Sequence, residues 1–470
     1  MTPLPFWTLE QPAGRVALVD ETGRPVTYAE LAAAADVAVS GLPPHSVFAL
    51  SPAANRASVA AYLGGLRRHT VPLLLDPQLD GAERDALLRR YGITRWFDGR
   101  SQVWQRPPAG RAAPTPHAEL ALLLSTSGST ASPKLVRLSR DNLAANAGSI
   151  VEYLALDASE VAITTLPLHY SFGLSVLNSH LACGACVVLS EAAVTQGAFW
   201  QQMRAHRVTS LSGVPTLWRL LRRLRFERMA LPALRTLTQA GGRLEPDEIR
   251  GLADAADAQG WQLFVMYGQT EAAPRIAYLP PALLRSHCGS IGVPVPGGRL
   301  RVVDADGRTI TEPGVTGELA YRGPNVMMGY AEGHEELAQG PGVAELFTGD
   351  LGHVDADGCH WITGRAKRFV KMFGHRVSLD ELEQRLRAQG LDAAVVGRDD
   401  CLRVAVAGID AARAAALHKA ISAHHRWLPA AVHVHALDAL PLASNGKLPY
   451  GALLTQLEAP TPAAAETVDG

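Results

Sequence analysis

Buried β-rich runs that alternate with amphipathic stretches through the first three quarters of the chain leave few folds open. Val71–Leu75, Ala121–Leu124, Val187–Leu189 and Gln262–Met266 are almost wholly apolar, whereas Tyr28–Ala38, Ala82–Arg90 and Pro215–Leu224 carry helical spacing. Strands covered on both faces read as continuous apolar runs, so the pattern predicts an α/β domain with parallel-type sheets. From about Pro296 to Thr363 the texture changes. Short runs (Leu300–Val303, Gly317–Tyr321, His360–Thr363) are separated by Asp-Gly and Pro-Gly turns, as in a small antiparallel or barrel-like unit.

Near Lys367 a third texture starts. Ser378 and Glu381 have the spacing of a capping box for a helix bearing Leu379, Leu382 and Leu386, with Gly390 at its end. Strand-like runs at Ala393–Val396 and Leu402–Ala407, an Ala-rich helix and Val432–Leu437 complete an α+β unit. The expected organisation is a core over 1–366 with a barrel-like subdomain at about 296–363, then a smaller unit over 367–458 and a disordered tail at 459–470. Several domains also suit a chain of 470 residues, since single cores rarely exceed roughly 250–300 residues.

Composition excludes some classes of function. A net charge of -1 gives no electrostatic argument for nucleic acid or an anionic membrane. No apolar run approaches the ~20 residues a membrane span needs, and Met1–Glu10 lacks a signal peptide's pattern. A cytoplasmic protein is expected. Five cysteines do not make a disulfide framework. Cys183 and Cys186 form a CxxC, but CGACVVLS reads as a turn entering a buried strand, without a second pair to complete a metal site.

Ser125–Lys134 reads STSGSTASPK directly after the strand-like ALLL. Hydroxyls, a glycine and a lysine suit a loop that wraps phosphate oxygens. It is not a Walker-type loop, because no second glycine precedes Lys134 and no Ser or Thr follows it. STSGSTASPKLV resembles the signature loop of the adenylate-forming superfamily: acyl-CoA synthetases, peptide-synthetase adenylation domains and luciferases. Ala131 and Leu135 stand where that family usually has glycine.

Further matches follow in the family's order. Val16–Ala32 resembles its N-terminal opening, TQAGGRL (Thr238–Leu244) its adenine-flanking turn, MYGQTE (Met266–Glu271) its YGxTE motif and FTGDLG (Phe347–Gly352) its ribose-gripping segment. GRAKR supplies Arg365 and Lys367, and PLASNGK (Pro441–Lys447) resembles the loop that delivers a catalytic lysine. The resemblance spans Val16 to Lys447.

It implies an AMP-forming ligase that uses ATP and Mg²⁺ to convert a carboxylic acid, acyl or aryl, into an acyl-adenylate. The acyl group then passes to a phosphopantetheine thiol of CoA or of a carrier protein. It also implies a mobile C-terminal lid. In this reading Thr126, Ser127, Gly128, Ser129, Thr130 and Lys134 hold phosphate, while Gly241, Gly242, Arg243, Tyr267 and Gly268 surround adenine. Thr270 meets the α-phosphate, Glu271 holds the metal, Asp350 and Arg365 take the ribose, and Lys447 is catalytic. Lys367 falls at the hinge, and Gly374 lines the thiol passage. No general base is needed, because a carboxylic acid is already ionised near pH 7.

Tyr170–Val176, YSFGLSV, resembles the substrate-proximal segment. Relatives that activate α-amino acids carry an Asp where this chain has Gly173, and a buried ammonium without a counter-charge is costly. Acyl or aryl acids are therefore favoured, short or aromatic ones first, with His169 and Tyr170 as candidates to gate the pocket. The alternatives are an amino-acid-activating adenylation enzyme and a non-catalytic nucleotide-binding relative. No carrier domain follows Lys447 in the sequence, so the thiol is expected to arrive on a separate molecule.

Overall fold

The computed structural model describes residues 5–107, 114–125, 134–366, 368–373, 375–425, 427–443 and 447–459. Its frame is two large mixed sheets. The first, of seven strands, has a parallel centre formed by Val47–Ser51, Val71–Leu74, Trp96–Asp98 and Leu120–Ser125. Antiparallel strands Leu135–Ser139 and Gly329–Ala331 extend one edge. The second, of nine strands, is parallel from Val16–Val19 through to Gln262–Tyr267 and antiparallel at both margins. All residues of Val71–Leu74, and all but the last of Leu120–Ser125, are buried, which is why the sequence shows unbroken apolar runs there.

Local signals set the helix starts. Thr27 and Glu30 form a reciprocal capping box for Tyr28–Ala38, with Thr27 Oγ1 accepting from Glu30 N at 3.1 Å and Glu30 returning to Thr27 N at 2.8 Å. Pro215 opens Pro215–Arg223, where a missing N–H costs nothing. Helices Arg140–Tyr153 and Ser171–Ala182 pack on each other, and the main core joins residues of both large sheets, among them Leu50, Leu122, Val187 and Phe264. Side chains buried as fully as Leu18, Leu50 and Leu63 contribute about 2 kcal/mol each.

The stretch read as a small subdomain is a four-stranded antiparallel sheet paired in chain order: Arg299–Val303, Gly317–Arg322, Leu346–Val354 and His360–Arg365. Beyond it lie a hairpin (Phe369–Met372 with His375–Ser378), a three-stranded sheet (Ala393–Arg398, Cys401–Ala407, Val432–Leu437) and helices Leu379–Ala388, Ala411–His425 and Tyr450–Glu458. Val370, Leu382, Val395, Val404 and Val432 give this unit its own core. Of the expected capping box, Ser378 Oγ accepts from Glu381 N at 3.2 Å, but the reciprocal bond is not formed.

Cys183 caps the helix Ser171–Ala182, Gly184 turns the chain with φ of 77°, and Cys186 opens the strand Cys186–Val188. Both thiols are unpaired, and burial pushes each up to about 11, so neither is a ready thiolate. Among the described residues no helix is long and apolar enough to cross a membrane.

Candidate active site

Two chemically loaded segments meet where the large sheets face each other. Strand Gln262–Tyr267 delivers Gly268, and a Cβ there would lie 1.6 Å from the Pro274 carbonyl oxygen, so only glycine lets the chain fold back. The returning loop is pinned by Asn325, whose Nδ2 donates to Ala272 O and Arg275 O, each at 2.6 Å. The Tyr321 hydroxyl fixes Asn325 in turn, at 2.8 Å. Thr270 and Glu271 sit on this loop. Thr270 Oγ1 lies 3.3 Å from Ser171 Oγ at the start of a helix, and the Glu271 carboxylate accepts from the Tyr330 hydroxyl at 2.8 Å. The Lys134 ammonium stands over the same Tyr330 ring, 3.6 Å from its centroid. One tyrosine thus joins the lysine of one sheet to the carboxylate of the other.

Asp350 lies deeper, only 7% exposed. Its carboxylate accepts from the Tyr267 hydroxyl at 2.5 Å and from Arg365 Nε at 3.0 Å. Asp350 and Arg365 are directly opposite each other on neighbouring antiparallel strands, which fixes the ion pair by register. Burial, then the negative Asp350, holds the Tyr267 phenol well above its ordinary range. That hydroxyl is a donor.

Lys447 reaches this region from the C-terminal unit. Its Nζ is 5.6 Å from the centroid of the Tyr170 ring, within cation–π range. Its pKa is lowered, first by burial and then by the Arg365 charge, while Glu271 and Asp350 pull the other way. An ammonium from one unit therefore sits in the field of two carboxylates and a guanidinium from the other.

Gly241 turns with φ of 83°, and a Cβ on it would fall 2.4 Å from the Tyr170 hydroxyl oxygen. The turn and the tyrosine can approach only because the residue is glycine. Gly242 O accepts from Gln239 Nε2 at 2.7 Å, which braces the turn. Arg243 is exposed and lies 3.8 Å from Glu245. His169 Nε2 is 3.7 Å from Asp76, and burial holds the imidazole below its usual range, hence neutral near pH 7.

Packing supplies a reason of its own for Gly173. It does not present an empty place to a ligand, since a Cβ there would come 2.4 Å from the Pro167 carbonyl oxygen and 2.9 Å from that of Leu166. Backbone packing demands the glycine, and an aspartate at 173 would force that segment to move.

Thr126, Ser127, Gly128, Ser129 and Thr130, with Ala131, lie outside the described residues, as do Lys367, Gly374 and the tail 460–470. Leu135, the other departure in that loop, opens a buried strand and packs in the core. Sequence reasoning missed Tyr330, Ser171, Asn325 and Arg275. Only Tyr330 carried a signal, a tyrosine flanked by Gly329 in the run MMGYA.

The model of the family described as AMP-binding enzyme matches residues 95–331. Indoleacetate–CoA ligase of Aromatoleum aromaticum is 32% identical over 73% of this chain, which spans 64% of that ligase's length. L-proline–[L-prolyl-carrier protein] ligase of Streptomyces coelicolor is 33% identical over 77% of this chain and 71% of its own. Among solved structures, o-succinylbenzoate CoA synthetase from Bacillus subtilis, in complex with its acyl-adenylate intermediate, superposes with a TM-score of 0.78 at 22% identity. That match covers 98% of this chain and 99% of the other and describes the fold alone. A site built between two sheets, a family model spanning half of the sequence and relatives matched over most of their length lead to one assignment: the chain belongs to the family of AMP-binding enzymes.

Proposed function

We propose that the protein is an AMP-forming acid–thiol ligase: it activates a carboxylic acid with ATP and passes the acyl group to a phosphopantetheine thiol. The single observation that carries the reading is the Lys447 ammonium held in the field of Glu271, Asp350 and Arg365, although it belongs to a different structural unit. An isolated surface lysine has no reason to be buried against that set.

The donor set suits the nucleotide. The Asp350 carboxylate can accept two ribose hydroxyls. Lys134 and Lys447 supply cations for phosphate, and Glu271 is a hard oxygen ligand suited to Mg²⁺. When bound, the metal neutralises charge on phosphate oxygens. The residues then have distinct tasks. Tyr267 and Asp350 orient the nucleotide, Thr270 donates toward the α-phosphate, and Lys447 draws the anionic acid to the phosphate despite their repulsion.

In the first step a carboxylate oxygen bonds to the α-phosphorus and the bond to pyrophosphate breaks. In the second a thiolate bonds to the acyl carbon and AMP departs with the electron pair. For the second step the lysine must withdraw, and the unit that carries it is joined through 366–368, where the expected hinge lies.

CoA and a holo carrier protein are both suitable donors of the thiol. The discriminating experiment offers them side by side with ATP, Mg²⁺ and a panel of acids, and measures AMP, pyrophosphate and thioester. Acid-dependent AMP and pyrophosphate in equal amounts are expected, with thioester on one of the two thiols. Formation of ADP, or no acid-dependent turnover, would reject the reading.

A further inference from the structure

Tyr330 is half-buried in the short strand Gly329–Ala331, and strand pairing decides what its side chain meets. The strand runs antiparallel to Leu135–Ser139, with Tyr330 opposite Val136 and Ala331 opposite Leu135. Lys134 directly precedes that partner strand, two residues before Val136. Tyrosine and lysine are therefore diagonal neighbours on one face, within reach of a long side chain and an aromatic ring. The Lys134 ammonium accordingly stands 3.6 Å from the ring centroid.

The segment is anchored on both sides. Arg137, only 3% exposed, donates from Nε to Tyr330 O at 3.2 Å and from Nη1 to Gln339 O. Met328 N donates to Arg137 O at 2.8 Å. Gly329 makes room for this clamp, since its φ is 141° and a Cβ there would lie 2.9 Å from Arg137 Nη2. On the other side, Met327 N donates to Glu271 O at 2.9 Å, and Asn325 holds Ala272 O. Backbone and side chain of Glu271 are thus both tied to the run 325–331.

The Tyr330 hydroxyl donates to Glu271 Oε1 at 2.8 Å. Burial first, then the Glu271 charge, holds the phenol above its ordinary range, so it keeps its proton and serves the carboxylate as a donor. The bond to Oε1 fixes the carboxylate plane and leaves Oε2 to face another partner. One phenol thereby holds two opposite charges apart, the cation on its π-face and the anion at its hydroxyl edge. A direct pair between Lys134 and Glu271 would neutralise both. With the ring between them, each charge stays available to a ligand.

We infer that Tyr330 is a positioning residue with two separable tasks: its hydroxyl aims Glu271 at the metal that accompanies ATP, and its ring holds Lys134 ready for phosphate. The inference rests on the ligase reading and adds to it a residue that acts through two others. Partners that orient a metal's carboxylate commonly change metal affinity by about 10–100-fold when removed. Face and hydroxyl serve different groups, so they can be removed one at a time. A side chain that only filled space would show no such division.

The test is calorimetric titration with ATP, once in EDTA and once with saturating Mg²⁺, beside ATP–pyrophosphate exchange with the panel of acids. Tyr330→Phe keeps the ring and removes the hydroxyl. It should bind metal-free ATP as the wild type does and Mg·ATP about tenfold more weakly. Tyr330→Leu removes both groups and should also weaken metal-free ATP by about fivefold, the scale of one cation–π contact. Unchanged Mg·ATP binding in Tyr330→Phe would overturn the inference. So would an equal loss of metal-free ATP binding in the two variants, which is what a structural brace gives. Should the leucine variant not fold, the phenylalanine variant decides alone, since it must lose affinity for Mg·ATP only. No acid-dependent exchange in the wild type removes the ligase reading. A failed division between the two titrations, with exchange intact, removes only the role of Tyr330.

Discussion

Single residues in this protein are legible to different degrees, and the reasons are physical. Glu271, Asp350, Arg365 and Lys447 sit in short runs that resemble motifs of the adenylate-forming superfamily, and that resemblance nominates them. Tyr330 escapes because its partners, Lys134 and Glu271, are far away in sequence and meet only through pairing of distant strands. Arg275 looks like an ordinary cation after a proline, and only tertiary burial makes it unusual. Lys447 gives the residue-scale prediction. Burial and Arg365 hold its pKa below the ordinary lysine range, and the task proposed for it requires the ammonium, the form present below that pKa. Adenylation, as kcat/KM, should therefore fall as pH rises through a value lower than an unperturbed lysine's. In Lys447→Arg, whatever its absolute rate, that alkaline fall should vanish, since guanidinium keeps its proton. An identical alkaline limb in both proteins would show that the lysine does not control it.

At the scale of elements, strands covered on both faces announce themselves as apolar runs, and capped helices by their first turns. Helix Ser171–Ala182 does neither. Nearly every residue from Ser171 to Leu181 is buried, so no polar face exists to mark a helical period. The hairpin Phe369–Met372 with His375–Ser378 reads in sequence as a strand, a turn and a helix start, since both of its strands are only four residues long. Just past the expected hinge, Arg368 ties several elements of the C-terminal unit together. Its guanidinium bonds Asp380 and, at 3.1 Å, Glu383, donates to Val395 O, and lies over the Tyr450 ring at 3.7 Å. Glu383 also accepts from the Tyr450 hydroxyl at 2.8 Å. Removing one partner of a buried ion network leaves uncompensated charge. Arg368→Ala should lower the stability of the C-terminal unit by about 3 kcal/mol, read by hydrogen exchange at Ala393–Arg398, with little change in protection at Val71–Leu74. Uniform loss of protection across both units would mean that they do not unfold separately.

For the molecule as a whole, two large sheets carry the groups proposed to face the nucleotide, and a unit with its own core carries Lys447, the ammonium proposed to come and go. This division explains why a glycine-bordered loop, a buried aspartate and a lysine near the end of the described chain belong to one site. The most direct test is ATP–pyrophosphate exchange in Lys447→Ala beside nucleotide binding to the same protein. Exchange should drop by about 10²–10³-fold, the scale of losing one preorganised charge at the reacting centre, while ATP binds with affinity close to wild type. Exchange at the wild-type rate would contradict the account.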